Sequence, residues 1–165
     1  MKNTIGSALT VTLFGESHGE AIGAVIDGLS PGIEVDMDYI RSKLAKRRPY
    51  GSIATKRREP DGPEFLSGVF NGYTTGTPLT LVIRNCDTKS EHYEDIKKMP
   101  RPSHADLTSW YKYAGFQDYR GGGHFSGRIT AALVAAGAIV MKALEKKNIY
   151  RHPYKELPRN RRQGV

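Results

Sequence analysis

The stretch Leu9 to Asp27, LTVTLFGESHGEAIGAVID, decides how the chain begins to fold. Leu9, Val11 and Leu13 alternate with Thr10 and Thr12, the period of a half-buried strand, and Ala21 to Ile26 reads as a second strand. Between them, Phe14-Gly15-Glu16-Ser17-His18-Gly19 places three polar residues between two glycines. A connection of this kind presents side chains at the mouth of a sheet.

Downstream, Asp36 reads as an N-cap, and Met37, Ile40 and Leu44 at helical spacing predict a helix that delivers Arg47 and Arg48 at its end. Phe65 to Phe70 and Leu79 to Ile83 read as the paired strands of one hairpin around Asn71 to Gly76, making the early part mostly antiparallel. Ser103 and Asp106 have the spacing of a capping box, with a helix through Trp110 to Tyr113. Gly121-Gly122-Gly123-His124-Phe125-Ser126 then leads into a helix over 127–146, so rich in alanine, valine and leucine that burial nearly all round is expected. The apolar periodicity ends near Asn148. Residues 150–165 read as a basic tail with too little apolar area to offset the entropy of ordering it, hence disordered.

With 165 residues, 38% hydrophobic and 25% charged, the chain has the composition of one globular domain with a core. The single cysteine, Cys86, excludes an internal disulfide, and no charged-then-apolar leader opens the sequence; both point to the cytoplasm. The longest uncharged apolar stretch, 129–141, falls short of the roughly 20 residues that span a bilayer, so no membrane association is expected. A net charge of +8 raises the question of nucleic acid. Lys46-Arg47-Arg48 and Lys56-Arg57-Arg58, with Pro49 and Gly51 between them, suit a loop that holds an anionic small molecule better than a helix that follows DNA.

Two constellations carry candidate chemistry. The glycine triplet running into a helix lets backbone approach a ligand, with His124, Ser126 and Arg128 as donors suited to an anion. His18 and His104 have the side-chain chemistry to give up a proton and recover it. His92, His124 and His152 lack settings comparable to those of these two, and no paired Cys/His spacing supports a metal site.

The order of segments resembles the chorismate synthase family. Thr4-Ile5-Gly6, Phe14 to Gly19 with Asp27-Gly28, Arg47-Arg48-Pro49, Arg58-Glu59-Pro60-Asp61 and Ser67-Gly68 match its pattern in sequence. So do Thr74 to Thr77, Arg101 to Asp106 (RPSHAD), Lys112-Tyr113, Asp118 to Gly123 (DYRGGG) and Ala135 to Ile139, over about residues 1–149. The resemblance implies an α+β fold, the N-terminal portion of a sandwich of antiparallel sheets and helices, normally a homotetramer. It implies elimination of phosphate and a ring proton from 5-enolpyruvylshikimate 3-phosphate to give chorismate in the shikimate pathway. Reduced FMN would be needed without net redox change, with NADPH as a possible reductant, and neither metal nor nucleic acid would take part. By position, His18 would protonate the reduced flavin and His104 would assist phosphate departure. His124, Phe125 and Ser126 occupy the FMN position, Arg47 that of a substrate or nicotinamide-phosphate contact, and Arg48, Arg101 and Arg128 those of further anion partners.

Three departures stand out. The chain reads Ser52-Ile53 where many members have an arginine shortly after the arginine pair, and GGGHFSGRIT at 121–130 where many read GGGRSSARET. Members are also about twice as long, and their C-terminal halves supply further flavin contacts and an aspartate proposed to relay the ring proton. A frameshift is the expected origin of the change after Ile149: codons able to encode Tyr150 to Glu156, read one base later, give residues close to the family's own. The isolated chain is therefore expected to bind FMN weakly and form little or no chorismate. The competing readings are a basic nucleic-acid-binding module and a folded remnant without catalysis.

Overall fold

A computed structural model describes residues 2–48, 61–86 and 99–149. The loop bearing Lys56 to Arg58, the departure at Ser52-Ile53, His92 and the tail 150–165 lie outside the described residues. Five strands form an antiparallel sheet in the order β1 (Thr4–Gly6), β2 (Thr10–Gly15), β3 (Ala21–Asp27), β7 (Leu79–Arg84), β4 (Pro63–Ser67). The alternation read from Leu9 onward sets the register. Val11 lies opposite Ile26 and Leu13 opposite Ala24, while β3 pairs Ile22 with Ile83, Ala24 with Leu81 and Ile26 with Leu79. These inward residues form the buried core, with Leu13 partly buried against it, and each fully buried leucine or isoleucine removes enough apolar surface from water to stabilise by about 1.5–3 kcal/mol.

One helix covers that face, α3 (Thr130–Glu145), through Ala131, Ala132, Ala135, Ala136, Ala138 and Ile139, and α1 (Met37–Arg47) packs against α3, adding Ile40 and Leu44 to the core. Small side chains on α3 let its axis approach the sheet closely. Asp36 caps α1 as its sequence position predicts, accepting from the Tyr39 N–H at 2.9 Å. That bond, with Lys142 at 3.0 Å behind it, holds the Asp36 carboxyl below its usual range. The helix stops at Arg48, whose N–H reaches the Ala45 carbonyl, so both arginines stand at its C-terminal end.

Two expectations need correction. The hairpin between Phe65 and Ile83 is not a simple one: β4 pairs with β7, but Val69–Phe70 (β5) and Tyr73–Thr74 (β6) form a separate two-stranded ribbon between them. The cause is Thr74, which is buried and accepts from the Ile33 N–H at 3.0 Å while donating to the Ser30 carbonyl at 2.7 Å. Those bonds tie the connector to residues 30–33, and the register of β4 on β7 shifts between Phe65 and Ser67. The second correction concerns residues 127–146. Gly127–Ile129 is a short 3-10 turn, and α3 beyond it is one-sided: its alanine face is buried while Leu133 and Leu144 are exposed. Gly127–Glu145 is long and apolar enough, by length and composition, to cross a membrane, yet its alanine face packs on the sheet core.

Candidate functional site

The β2–β3 connection is a tight turn in which the Gly19 N–H reaches the Glu16 carbonyl at 3.1 Å. Asn85, just beyond β7, clamps it by donating to the carbonyls of Glu16 at 3.0 Å and Gly19 at 2.9 Å. Asn85 is held in turn by Arg128, whose Nε donates to Asn85 Oδ1 at 3.0 Å while the guanidinium also grips Asp61 and the Arg84 carbonyl. Arg128 and Asp61 are both buried, which a charged pair tolerates only when hydrogen-bonded in this way. Arg128, expected as an anion contact, is thus built into the frame beneath the turn.

Within that turn Ser17 is fully buried and His18 nearly so. Ser17 Oγ lies 2.9 Å from His18 Nδ1 and donates to the Gly121 carbonyl at 3.2 Å, and the Ser17 N–H reaches the Gly123 carbonyl at 3.1 Å. The glycine triplet therefore docks directly on the turn carrying His18. All three glycines have positive φ, 57°, 85° and 52°, a geometry that costs other residues dearly. They also lie against the two histidines. A Cβ at Gly121 would fall 2.1 Å from His18 Cε1, and one at Gly122 would fall 2.6 Å from His104 Cε1. The two imidazoles thus rest on adjacent residues of one turn, no more than about 12 Å apart with consecutive Cα atoms 3.8 Å from one another. The structure thus brings His18 and His104, the two proton-handling residues of the sequence, to one turn.

His104 comes from the segment before α2 (Asp106–Lys112), and here the expected capping box is absent. Ser103 has φ 60°, and Ala105 is the residue preceding the helix, with no side-chain cap. The reason is competition: Asp106 is taken by Arg101, which donates through Nε at 2.8 Å, Nη2 at 2.9 Å and its own N–H at 3.0 Å. That grip, above all the guanidinium bonds, holds the Asp106 carboxyl down at about 2. His104 Nδ1 lies 2.5 Å from Asp106 Oδ1, and Arg101 Nη2 lies 3.2 Å from both ring nitrogens.

The remaining residues surround this pair. His124 Nδ1 donates to the Gly15 carbonyl at 2.9 Å, fixing the ring against β2. Phe125 lies 5.8 Å from Tyr113, with Lys112 Nζ 5.6 Å from the Phe125 ring centre. Ser126 Oγ accepts from the Arg128 N–H at 3.3 Å and so caps the turn into α3. Arg47 reaches across from α1 to Thr130 at 2.9 Å, the Gly127 carbonyl at 3.1 Å and Asp61 at 3.5 Å. Arg48 stands exposed at the helix end. Asp118 sits beside the triplet; burial works against its charge, but the Arg120 fork at 2.8 and 2.9 Å keeps its carboxyl below the usual range.

A family model described as chorismate synthase matches residues 9–154. The chain belongs to the chorismate synthase family. It is 50% identical to the chorismate synthase of Thermococcus kodakarensis over 144 residues, 87% of this chain and 41% of that one. It is 56% identical to that of Ignicoccus hospitalis, covering 86% of this chain and 38% of the relative. A crystal structure of chorismate synthase overlays with a TM-score of 0.59 at 30% identity, covering 84% of this chain and 34% of that one. The chain spans about two-fifths of the length of these curated relatives. Its α+β architecture with an antiparallel sheet is part of the chorismate synthase structure.

Sequence reasoning missed Ser17, Asn85, Asp61 and the role of Asp106. Asp106 carried a signal, a carboxylate two positions after a histidine, but the same spacing fits a helix cap. Asn85 gave none, and Asp61 only its place in the Arg58 to Asp61 motif, since the partners of both lie far away in sequence.

Proposed function

We propose that this chain carries the N-terminal share of a chorismate synthase site, acting on 5-enolpyruvylshikimate 3-phosphate with reduced FMN. The observation that carries this reading is the glycine triplet with the His18 ring on Gly121 and the His104 ring on Gly122. Two proton-handling groups on one turn are what an elimination needs when a proton and a phosphate must both leave one small ring.

The residues present suit a flavin mononucleotide in kind. Phe125 offers an apolar ring face, with the Lys112 ammonium against it and His124 fixed alongside. When bound, reduced FMN supplies an electron transiently, with no net redox change. Ser17 orients His18: a hydroxyl that donates to the Gly121 carbonyl accepts from His18 Nδ1. His104 sits beside Arg101, so that a proton from its ring and a guanidinium charge are available together to a departing phosphate. Arg47 and Arg48, at the C-terminal end of α1, supply cations for further anionic groups, including a nicotinamide phosphate should NADPH serve as reductant. A homotetramer in the cytoplasm, as in the complete family members, is part of the same reading.

The test is the elimination assay under reducing conditions, with purified chain alone and with a separately made C-terminal half. Little turnover is expected alone and restored turnover with the partner half. His18→Ala or His104→Ala should each lower the restored rate by about 10²-fold or more. Full restored activity with both histidines replaced would overturn the assignment.

A further inference from the structure

Asp106 is the first residue of α2, yet its carboxylate turns back along the chain and does not cap the helix. Both oxygens are occupied on one side by Arg101, through Nε and Nη2, and Oδ1 faces His104 Nδ1 at 2.5 Å on the other. The left-handed backbone at Ser103 makes this possible by folding the chain so that the His104 N–H reaches the Arg101 carbonyl at 3.3 Å. Asp106 is thereby shared between a cation and an imidazole.

Asp106 imposes a demand on that ring. An ionised carboxylate only accepts hydrogen bonds, so the nitrogen facing it carries a proton. Arg101 Nη2, at 3.2 Å from both ring nitrogens, lies out of the ring plane and along neither lone pair, so the choice of tautomer falls to Asp106, to which Nδ1 is committed. A neutral ring that donates to Asp106 is the Nδ1–H tautomer, with its lone pair on Nε2. The Cε1–Nε2 edge is also the one turned toward the glycine triplet, 2.6 and 3.0 Å from where a Cβ on Gly122 would lie.

We propose that Asp106 is the positioning residue of His104: locked by Arg101, it fixes the Nδ1–H tautomer and makes Nε2, beside Gly122, the nitrogen that takes and gives the transferable proton. A carboxylate that orients an imidazole in this way acts without itself gaining the proton. The catalytic meaning of the arrangement rests on His104 acting in the elimination; the tautomer itself does not.

The experiment is a long-range 15N–1H correlation spectrum of the histidine side chains in the uniformly 15N-labelled 165-residue chain, at a pH where the imidazoles are neutral, with signals assigned through His104→Gln. The wild-type chain should show His104 protonated on Nδ1. Asp106→Asn, whose amide can donate where the carboxylate accepted, should exchange the two nitrogen signals so that Nε2 carries the proton. Asp106→Glu should retain the wild-type pattern. A wild-type His104 protonated on Nε2, or an Asp106→Asn chain that keeps Nδ1–H, overturns the proposal. If Asp106→Asn does not fold, the wild-type and Asp106→Glu spectra decide it, Nδ1–H in both supporting it and Nε2–H in either overturning it. Loss of the His104 requirement in the elimination assay would sink the functional reading and leave these spectra unchanged, so the two failures are separable.

Discussion

Gly121→Ala puts the central contact of the site under direct strain. The residue sits at φ 57°, ψ 18°, where an alanine pays about 1–2 kcal/mol for its Cβ alone. That Cβ would lie 2.1 Å from His18 Cε1 and 2.8 Å from Ser17 Oγ, whereas carbon atoms pack at about 3.5 Å or more, so the ring must retreat by about 1.4 Å. Retreat breaks the bond of Ser17 Oγ to His18 Nδ1 and strains its bond to the Gly121 carbonyl, worth about 1 kcal/mol each. The total, roughly 3–4 kcal/mol, lowers Tm by roughly 10 °C in a chain of this size. Thermal melts of Gly121→Ala, His18→Ala and the double variant isolate the steric part. Removing the ring relieves its clash, so the double variant should be more stable than the sum of the single effects predicts by about 1 kcal/mol or more. Additive effects, or a Gly121→Ala chain whose His18 resonances do not move, would refute the claim that this ring rests on Gly121.

Arg128→Met leaves Asp61 buried with Arg47 as its remaining cation among the described residues and frees Asn85 from its anchor, so a loss of about 3–5 kcal/mol is expected from chemical denaturation, with the His18 turn loosened in hydrogen exchange. Thr74→Val keeps the volume but orphans the Ile33 N–H, and should cost about 1–3 kcal/mol in the same assay. For Asp106, the folded carboxyl at about 2 lies below its ordinary value of 3.8, so its contribution is fully present above that ordinary value and disappears as pH falls toward 2. The gap in stability between the wild-type chain and Asp106→Asn should therefore narrow between about pH 4 and pH 2, and a gap that widens on acidification would contradict the Arg101–Asp106 pairing.

The sequence by itself was sufficient where the determining forces act over a few residues. Alternation from Leu9 placed β2 and β3 and told which side chains face inward, because a strand's two faces follow from period two alone. Asp36 announced α1, since an N-cap is satisfied three positions away. The ordered motifs, from Thr4 to Ile139, were sufficient to identify the family to which the chain belongs.

Tertiary structure decided what depends on groups distant along the chain. Ser17 meets the Gly121 carbonyl across 104 positions and Arg128 meets Asp61 across 67, and no local pattern encodes either. Ser103 and Asp106 show the competition most plainly: their spacing permits a cap, but a guanidinium fork on an ionised carboxylate outweighs one neutral backbone bond, so the cap is lost and His104 gains its partner. The same reasoning separates the ribbon of β5 and β6 from the expected hairpin, because a buried threonine must satisfy its hydroxyl and found its partners at residues 30 and 33. Local periodicity chose the elements; the obligation to pair every buried polar group chose how those elements, and the two histidines they carry, come together.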